Sequence, residues 1–439
     1  MRDSGYLTSK NIGQGFLKLD KIDYITIDSF DKLFPKSSNA IKRPQAGDIL
    51  FGIIGTFGNL YLYKENDLFG FSSSIGILRP NKEKISSEYL YHVMNGEDFK
   101  NNHSALNAGS VQGYTNIATV KSLRIPLPSL NVQKNIAKIL TDFDKKIHLN
   151  NQINQTLESI AQAIFKSWFI DFEPVRAKIA AKQEGKDAEL AAMCVISGKS
   201  EEELKQMAED DFAELQATAA LFPDELVESE LGDVPRGWVV STVGEQVQTV
   251  GGGTPSTKNA DFWDNGIHHW TTPKDLSNLT DKILLNTERK ITDIGLKKIS
   301  SGILPKDTVL MSSRAPVGYL ALAKIEVAIN QGYIAILPNT KYSAEYLIQW
   351  CEANMAEIKG RASGTTFQEI SKKNFREISF VCPDDKVVVS YTKTVKTLYD
   401  EITSKAKENQ SLINLRDTLL PKLMSGEISL NKNMGSIDD

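Results

Sequence analysis

Residues 148–169 read HLNNQINQTLESIAQAIFKSWF, in which apolar side chains recur at alternating intervals of three and four residues. Extended towards the N-terminus, this seven-residue repeat covers more than four heptads, which predicts a coiled-coil seam. Asparagines inside such a seam lower stability but favour one register over slipped alternatives. The predicted seam consists of Ile136, Leu140, Phe143, Ile147, Asn150, Asn154, Leu157, Ala161, Ile164 and Trp168.

A second long helix with the same pattern is expected near the C-terminus. Its polar interruption falls at the matching place, since Asn409 lies 255 residues after Asn154. Two helices with matching registers are expected to pair with each other, in antiparallel orientation. The alternative is that each seam packs on its own globular unit or on another chain. The second seam is predicted at Tyr391, Val395, Leu398, Ile402, Lys405, Asn409, Leu412, Arg416, Leu419 and Leu423.

The whole chain is an internal duplication. GSVQGYTNIATVKSLRIPLP (109–128) aligns with GTTFQEISKKNFREISFVCP (364–383) at an offset of 255 residues. Upstream, DILFGIIGTFGN (48–59) matches TVLMSSRAPVGY (308–319), and FSSSIGILRP (71–80) matches INQGYIAILP (329–338). Because order is preserved and the offsets drift by only a few residues, each copy is predicted to be a globular unit followed by a long helix.

The predicted fold is α+β (mixed α/β), with two pseudo-repeated globular domains separated by two long helices that form an antiparallel coiled coil. The first copy has only MRDS before its matched segment, where the second has roughly 35 further residues, so the first domain is expected to be N-terminally shortened. SAEYLIQWCEANMAEIKG (343–360) is expected to form one helix capped by Ser343, and residues 200–215 an acidic helix opened by Ser200 and Glu203. The expected boundaries are 1–128 (first domain), 129–170 (central helix), 171–230 (acidic helical spacer), 231–383 (second domain), 384–430 (C-terminal helix) and 431–439 (disordered tail).

The net charge of −4 conceals an asymmetry along the chain. Residues 171–233 hold 17 acidic and 6 basic side chains, a net of −11, so the remainder carries about +7 and could contact nucleic acid. Three widely spaced cysteines argue for a reducing compartment, and the N-terminal residues resemble no secretion signal, so a cytoplasmic location is expected. The uncharged stretch at 49–63 is shorter than a membrane span.

Catalytic motifs are missing from the sequence, which predicts a non-catalytic chain without a metal site. GIIGTFG and VGGGTP match neither a dinucleotide fingerprint nor a phosphate-binding loop, and GGG at 251–253 is expected to be a flexible turn. PDDK at 383–386 is interpreted as a helix start. His268 and His269 are neighbours on a predicted strand, where their side chains point to opposite faces, and no further ligand lies at metal-binding spacing.

Several long motifs together resemble the DNA-specificity subunits of type I restriction-modification enzymes. GGGTPSTKNADFWDNGIHHWTTPKDL (251–276), SSRAPVGY (312–319) and INQGYIAILP (329–338) are similar to a target recognition domain of that family. Residues 127–178, SELGDVPRGW (229–238) and LRDTLLPKLMSGEISL (415–430) resemble its conserved segments, in the family's order. The match covers nearly the whole chain.

The resemblance implies a division of labour among subunits. Each recognition domain would read one half of an asymmetric, bipartite site in double-stranded DNA, and the helices would set the spacing. Two methylation subunits would bring S-adenosylmethionine for adenine methylation, and motor-nuclease restriction subunits would add ATP- and magnesium-dependent cleavage. The alternatives are a structural coiled-coil adaptor without DNA affinity and a single-chain nuclease-methyltransferase, which the missing motifs disfavour.

DNA contacts are expected in polar loops, which carry function on a rigid scaffold. Arg314 could reach a guanine edge, and since Ile54 replaces it in the first domain, the two domains should read different bases. Trp168 and Phe169 are expected to pack on a neighbouring domain or a methylation subunit. For each polar candidate, the alternative is a solvated or structural group. The candidates are Thr254, Ser256, Lys258, Thr271, Thr272, Lys274, Ser312, Ser313, Arg314, Asn330 and Gln331, with Ser9, Lys10, Asn11, Ser72 and Ser73 as first-domain counterparts.

Overall fold

A computed structural model describes residues 3–13, 15–19, 21–36, 43–53, 59–106, 115, 117–277, 279–364 and 368–428. The predicted tail at 431–439 lies outside these residues. The described elements up to the end of the first long helix are β1 (Ser4–Leu7), a 3-10 helix (Ser9–Asn11), β2 (Asp23–Ile25), α1 (Ile27–Leu33), β3 (Ile49–Gly52), β4 (Leu60–Leu62), β5 (Phe69–Phe71), β6 (Ile75–Leu78), α2 (Ser87–Asn95), α3 (Glu97–Leu106), α4 (Ile117–Ser122) and α5 (Leu130–Phe169).

A helical insertion and a strand-rich region separate α5 from the second long helix. The insertion contains α6 (Glu173–Gln183), α7 (Ala188–Ser197), α8 (Glu201–Leu204) and α9 (Glu209–Ala220). The elements that follow are β7 (Leu226–Ser229), β8 (Gly232–Pro235), β9 (Val239–Thr242), α10 (Val243–Gln246), β10 (Gln248–Val250), a 3-10 helix (Ala260–Phe262), β11 (His268–Thr271), α11 (Pro273–Ser277), β12 (Ile283–Leu284), β13 (Arg289–Ile291), α12 (Asp293–Leu296), β14 (Thr308–Ser312), β15 (Leu320–Ala323), β16 (Ala328–Ile329), β17 (Tyr333–Leu337), α13 (Ala344–Ala353), α14 (Met355–Gly360), α15 (Lys372–Arg376), β18 (Ser379–Cys382) and α16 (Asp385–Ser425).

The chain forms two compact units. The first unit comprises Met1–His148 and Asn409–Asp439, and the second comprises Leu149–Glu408. Each long helix therefore contributes residues to both units. The first unit contains the sheets β2-β1-β5 and β4-β3-β6, and the second contains β13-β11-β16 and the five-stranded β10-β17-β14-β15-β12.

Strand pairing preserves the duplication that the sequence indicates. In the first unit β3 pairs with β4 and β6, with Leu50 opposite Tyr61 and Ile77. In the second unit β14 pairs with β15 and β17, with Leu310 opposite Ala321 and Ala335. The partners of Leu310 are the aligned counterparts of the partners of Leu50, since the offsets of 260 and 258 residues are those of the aligned segments. The two β-structures thus share register as well as strand order.

The two long helices pack antiparallel within each unit. In the second unit Asn150 donates a hydrogen bond to Glu408, and Asn154 donates one to the backbone oxygen of Ile402. As the residue number rises on α5 it falls on α16, which defines the antiparallel sense. In the first unit, Ile136 and Leu140 share a buried cluster with Leu420 and Leu423. These contacts confirm the predicted helix pairing, and each predicted seam residue is buried or partly buried.

Aromatic packing closes the core of the second unit. Trp168 and Phe169, at the end of α5, contact Tyr391 of α16 with ring centroids 5.9 and 5.0 Å apart. Phe222, at the end of the helical insertion, stacks edge-on against Trp168. Lys178 of α6 is also buried and donates to Glu189 and to the backbone oxygen of Phe222, which holds the insertion closed. Trp168 and Phe169 therefore pack within the second unit. Packing on a neighbouring domain is one of the two expectations for this pair.

Two predicted helices are interrupted. Ser343 accepts a hydrogen bond from the backbone amide of Tyr346, so the predicted N-cap is present. However, Asn354 leaves helical geometry, with φ −97° and ψ 13°, and divides the segment into α13 and α14. The expectation of one continuous helix was therefore wrong. The Ser200–Glu203 capping box is likewise present, but residues 205–208 separate α8 from α9.

The remaining fold-level features concern membranes and cysteines. Among the helices that the structure describes, none offers an apolar stretch that could cross a membrane. Cys194, Cys351 and Cys382 are free thiols. Asp384 accepts a hydrogen bond from the backbone amide of Lys386 at 2.8 Å, so the PDDK segment opens α16 as predicted.

Candidate nucleic-acid interface

Five polar segments of the second unit meet at one end of its sheets. We call them the second loop cluster and define it as residues 251–258, 271–274, 312–318, 329–332 and 363–370, of which 365–367 are not described. Backbone hydrogen bonds join them: Gly253 N–H donates to Ile329 O, Asn330 to Thr271, Ser313 to Gly332, and Ile370 to Ser313, at 2.8–3.1 Å. Residues far apart in sequence thus form one surface on a rigid support.

Asp275 of α11 fixes the loop that follows β11. One carboxylate oxygen accepts hydrogen bonds from the Thr272 amide and hydroxyl at 2.8 and 3.1 Å. The other accepts from the Glu288 amide at 2.8 Å. This carboxylate therefore satisfies backbone donors on both sides of the loop, in the manner of a capping-box side chain.

Within the triple glycine at 251–253, Gly252 packs closely against the backbone of another segment. A Cβ atom at Gly252 would lie 1.9 Å from the backbone oxygen of Ile329, far inside van der Waals contact. A Cβ at Gly253 would meet its nearest neighbour at 3.9 Å, an ordinary contact. The expectation of a merely flexible turn is thus wrong for Gly252, where the backbone of 329–330 approaches too closely for any side chain.

Three predicted contact residues are buried and bond within the unit. The Thr271 hydroxyl lies 3.1 Å from that of Tyr333. The Ser312 hydroxyl donates to Pro316 O at 2.7 Å and accepts from the Tyr319 amide at 2.8 Å. Ser313 is 3% exposed and contributes its backbone to the pairs described above. In this structure these residues support the loop cluster from inside.

The other predicted residues of the second unit lie at least partly on the surface. Thr254, Ser256, Lys258 and Gln331 are exposed, and Thr254 donates a hydrogen bond to Gln331. Thr272 and Asn330 are half-buried, and the Asn330 side chain accepts from the Gly332 amide. The two remaining cations have acidic neighbours: Lys274 bonds to Glu288 at 2.8 Å, and Arg314 lies 3.8 Å from Glu369.

The first unit repeats this hydrogen-bond pattern, which we call the first loop cluster: residues 7–11, 53, 72–74 and 115. Ser72 N–H donates to Leu7 O, Ile53 to Ser74, and Thr115 to Ile53, at 2.7–2.9 Å. These bonds correspond one by one to those at Asn330, Ser313 and Ile370. Both copies therefore build the same support for different side chains.

The predicted first-unit residues divide in the same way. Asn11 is buried, accepts from the Thr8 amide at 2.8 Å and donates to the backbone oxygens of Lys18 and Lys21. Asn11 therefore corresponds to Asp275, and in the same alignment Lys10 corresponds to Lys274. Lys10 and Ser73 are exposed, whereas Ser9 and Ser72 are half-buried at the loop bonds. Ile54, the predicted counterpart of Arg314, lies outside the described residues.

One exposed cation beside the second loop cluster escaped the sequence-based prediction. The guanidinium carbon of Arg289, on β13, lies 3.7 Å from the ring centroid of Trp263. Trp263 packs edge-on against Trp270 and donates its indole N–H to Ser256 O. In sequence, Arg289 is merely a basic residue in a predicted strand. Its aromatic partner Trp263 lies 26 positions upstream, so no local pattern links the two.

A polar contact joins Asp281 and Lys282, which directly precede β12, to helices of the second unit. Lys282 donates to Glu158 of α5 and Glu352 of α13, both at 2.9 Å. Burial alone would lower the pKa of Lys282, but the two carboxylates outweigh it and raise that pKa. Beside it, burial raises the pKa of Asp281, which accepts a hydrogen bond from the seam residue Asn154. The seam asparagine thus bonds to both α16 and the globular part.

Metal ligands do not converge anywhere in the described part of the chain: groups of three or more His, Cys, Asp or Glu side chains in suitable positions are not found there. His268 and His269 bond to different partners, Asp293 at 2.7 Å and Thr287 at 3.1 Å. The loop clusters present hydroxyls, amides and cations, which are groups that proteins use to contact DNA phosphates and base edges.

The comparisons with known proteins agree with the duplicated architecture. The family model described as "Type I restriction modification DNA specificity domain" matches residues 5–159 and 235–413. The chain belongs to the family of type I restriction-modification specificity subunits. It is 32% identical over 435 residues to the type I restriction enzyme HindI specificity subunit of Haemophilus influenzae, covering 95% of this chain and 94% of that protein.

Further similarities cover part of the chain or concern solved structures. The MjaIX specificity subunit of Methanocaldococcus jannaschii is 34% identical over 190 residues, 43% of this chain and 44% of that protein. A crystal structure of the type I restriction-modification S subunit from M. genitalium has a TM-score of 0.45 and 16% identity, covering 96% of this chain and 88% of that one. The HsdS subunit from Thermoanaerobacter tengcongensis has a TM-score of 0.31 and 17% identity, covering 97% and 91%.

Proposed function

We propose that each unit reads one half of an asymmetric, bipartite site in double-stranded DNA. The observation that carries this proposal is the repeated loop cluster, which presents different side chains on one hydrogen-bond pattern. Asn330 and Gln331 occupy the positions of Ser72 and Ser73. A shared support with altered polar side chains is what two readers of different half-sites require.

Within the second unit, the exposed side chains divide between two tasks. Lys258, Lys274 and the hydroxyls of Thr254 and Ser256 bind phosphates and fix the register of the duplex. Arg314 and Gln331 carry the groups that read base edges, Arg314 at guanine and Gln331 at adenine. The buried Thr271, Ser312 and Ser313 hold these loops in place.

The paired helices set the number of base pairs between the half-sites and dock two methylation subunits. Those partners supply S-adenosylmethionine and methylate adenine, and restriction subunits supply ATP-dependent cleavage with magnesium. The chain itself contributes recognition without catalysis, in the cytoplasm. Support comes from the family membership and from the antiparallel helix contacts in each unit.

Salt dependence distinguishes this function from the adaptor alternative. A DNA reader releases counterions on binding, so its affinity for a duplex falls steeply as salt rises, whereas an adaptor has no such affinity. Anisotropy of a labelled duplex across a salt series measures the difference. Modification of DNA by the purified chain alone, with S-adenosylmethionine present, is the outcome that only a single-chain methyltransferase predicts.

Methylome mapping tests the bipartite site directly. The chain is co-expressed with its methylation subunits, and methylated adenines are located genome-wide. We expect two short half-motifs separated by a constant gap. Arg314→Ala should relax one half-motif at a single position and leave the other unchanged, while a uniform loss over both halves would contradict the assignment.

Lengthening both helices tests the spacing role. One heptad inserted into each adds about 10.5 Å, since the rise is about 1.5 Å per residue. At about 3.4 Å per base pair, the gap should widen by about three base pairs while both half-motifs stay the same. A methylome with the original gap would refute the spacing role. The matched control is a heptad inserted into one helix alone, which leaves its seam without a partner.

A further inference from the structure

The Arg289 guanidinium is exposed and yet fixed in orientation. It lies 3.7 Å from the centroid of Trp263 and 5.8 Å from that of Trp270, with the two indoles edge-to-face at 4.9 Å. Both indoles are themselves held, because Trp263 N–H donates to Ser256 O and Trp270 N–H to Gly253 O. A stacked guanidinium keeps its N–H donors free to bind in its plane.

Its charge is also uncompensated by a neighbouring carboxylate. Within the described residues, Arg289 makes no ion pair, whereas Lys274 is paired with Glu288 and Arg314 lies near Glu369. Glu288, which precedes Arg289 in the chain, has its carboxylate bound by Lys274 and its amide by Asp275. The nearest acidic group along the strand is thus already engaged, and the planar donor of Arg289 remains available to a ligand.

Position ties this cation to the second loop cluster. Arg289 pairs with Trp270 in the sheet, one residue before Thr271 enters the cluster. The indoles that hold it bond to Gly253 and Ser256 of the same cluster. Strand β13 lies at the edge of its three-stranded sheet, so no further strand covers that side in the described structure. The guanidinium therefore borders the surface that would face a duplex.

The first unit has no such cation at the equivalent place. Tyr6 pairs with Asp23 there, as Trp270 pairs with Arg289 in the second unit. Asp23 is exposed. The duplicated support therefore carries opposite charges at this edge.

We propose that Arg289, aligned by Trp263, binds a DNA phosphate beside the half-site of the second unit, and that Asp23 makes no such contact at the equivalent place of the first unit. This inference rests on the proposed function, since it supposes that the second loop cluster faces DNA. Guanidinium groups bind phosphate oxygens through parallel N–H donors, and the indoles hold this one ready before DNA arrives. The contact is independent of sequence and contributes register and affinity.

Binding across a salt series measures this contact. The full-length chain and an Arg289→Met variant are titrated with a fluorescein-labelled 40-base-pair duplex of random sequence. Methionine keeps an unbranched stem on Trp263 without the charge. Loss of one phosphate contact should lower the slope of log K against log salt by about 0.9, which is about eightfold weaker binding at 0.1 M salt. Arg289→Lys should keep most of the slope, because it keeps the charge.

The matched control removes a positive charge at the other end of the second unit. Lys306 is exposed in the turn before β14, whereas the loop cluster follows the opposite end of that strand, so Lys306→Ala should leave the slope unchanged. An unchanged slope in Arg289→Met, with normal salt-dependent binding by wild type, overturns this inference and leaves the proposed function standing. Equal losses in both variants also overturn it. Wild type without salt-dependent binding overturns the proposed function and this contact together.

Thermal melting guards against a folding defect. Arg289→Met should melt within a few degrees of wild type, since the residue is exposed. Where it does not fold, Arg289→Gln takes its place, because glutamine keeps a planar group over the indole and is uncharged. The same reduction of slope is expected.

Discussion

Replacing Asp275 by alanine should weaken the second unit and its half-site reading together. The carboxylate accepts hydrogen bonds from the amides of Thr272 and Glu288, both at 2.8 Å, and from the Thr272 hydroxyl at 3.1 Å. Hydrogen bonds to a charged group contribute about 1.5–3 kcal/mol each, and water replaces part of that at this half-buried site. We therefore expect Asp275→Ala to lower the free energy of unfolding by about 3 kcal/mol.

The duplication supplies a matched series for this prediction. Asn11 performs the same task in the first unit, accepting from the Thr8 amide. Asp275→Asn should retain the bond to Thr272 but place an NH2 group against the Glu288 amide, so its loss should be about half that of alanine. The stability order is expected to be wild type, then asparagine, then alanine.

Tryptophan fluorescence reports this change without interference from the first unit. All five tryptophans lie in the second unit, at positions 168, 238, 263, 270 and 350. For about 3 kcal/mol, a unit of this size should lose about 6–12 °C in melting temperature. Methylome mapping with the alanine variant should show the second half-motif degraded and the first retained. A stability change below about 0.5 kcal/mol, or equal losses in alanine and asparagine, would refute the reasoning.

Two further predictions concern the triple glycine and a buried histidine. Gly252→Ala should destabilise the second unit strongly, because its Cβ would lie 1.9 Å from Ile329 O, whereas Gly253→Ala should be tolerated, because its Cβ has 3.9 Å available. Urea unfolding followed by tryptophan fluorescence compares the free energies of unfolding of the two variants. Similar losses in both would contradict the packing argument. In the first unit, burial lowers the pKa of His92 to about 4, and Asp144 at 3.7 Å offsets this only in part. Because the unfolded state then binds the proton more tightly, stability is full above the unfolded pKa of about 6.5 and falls towards pH 4, by about 2 kcal/mol at pH 5. Far-UV circular dichroism in urea at pH 7 and 5 measures this loss, and a His92→Gln variant that loses as much would exclude His92 as its source.

The repeat made much of the scaffold accessible from the sequence. Aligning Ile53 with Ser313 and Ser72 with Asn330 predicted residues that do form equivalent backbone hydrogen bonds. The heptad pattern predicted the antiparallel helix pair, since a seam of period seven must be covered by a partner of like register. Asn154 of the seam donates a hydrogen bond across it to the backbone oxygen of Ile402.

Burial and long-range contacts were beyond the reach of the pattern. Ser313 and Thr271 look like surface hydroxyls in sequence, but both are buried, and the Thr271 hydroxyl contacts that of Tyr333, 62 residues away. The sequence predicts a flexible position at Gly252, but the fold places the backbone of Ile329, 77 residues further along the chain, directly against it. Arg289 resembled any basic strand residue, because only the fold places Trp263 under it. Such properties arise from tertiary contacts, which a single sequence does not encode locally.

The first unit is built from two stretches of chain that the ribosome makes at very different times. Leu140 shares its buried cluster with Leu420, which is synthesised 280 residues later. At a synthesis rate of about 5–20 residues per second, the Leu140 face of the first long helix stays uncovered for about 15–55 seconds until the Leu420 segment is made. During translation the nascent chain therefore exposes an apolar helix face, to which chaperones can bind and which can also misassemble. Mutations in the codons for residues 419–424 should consequently destabilise a part of the protein that was made earlier.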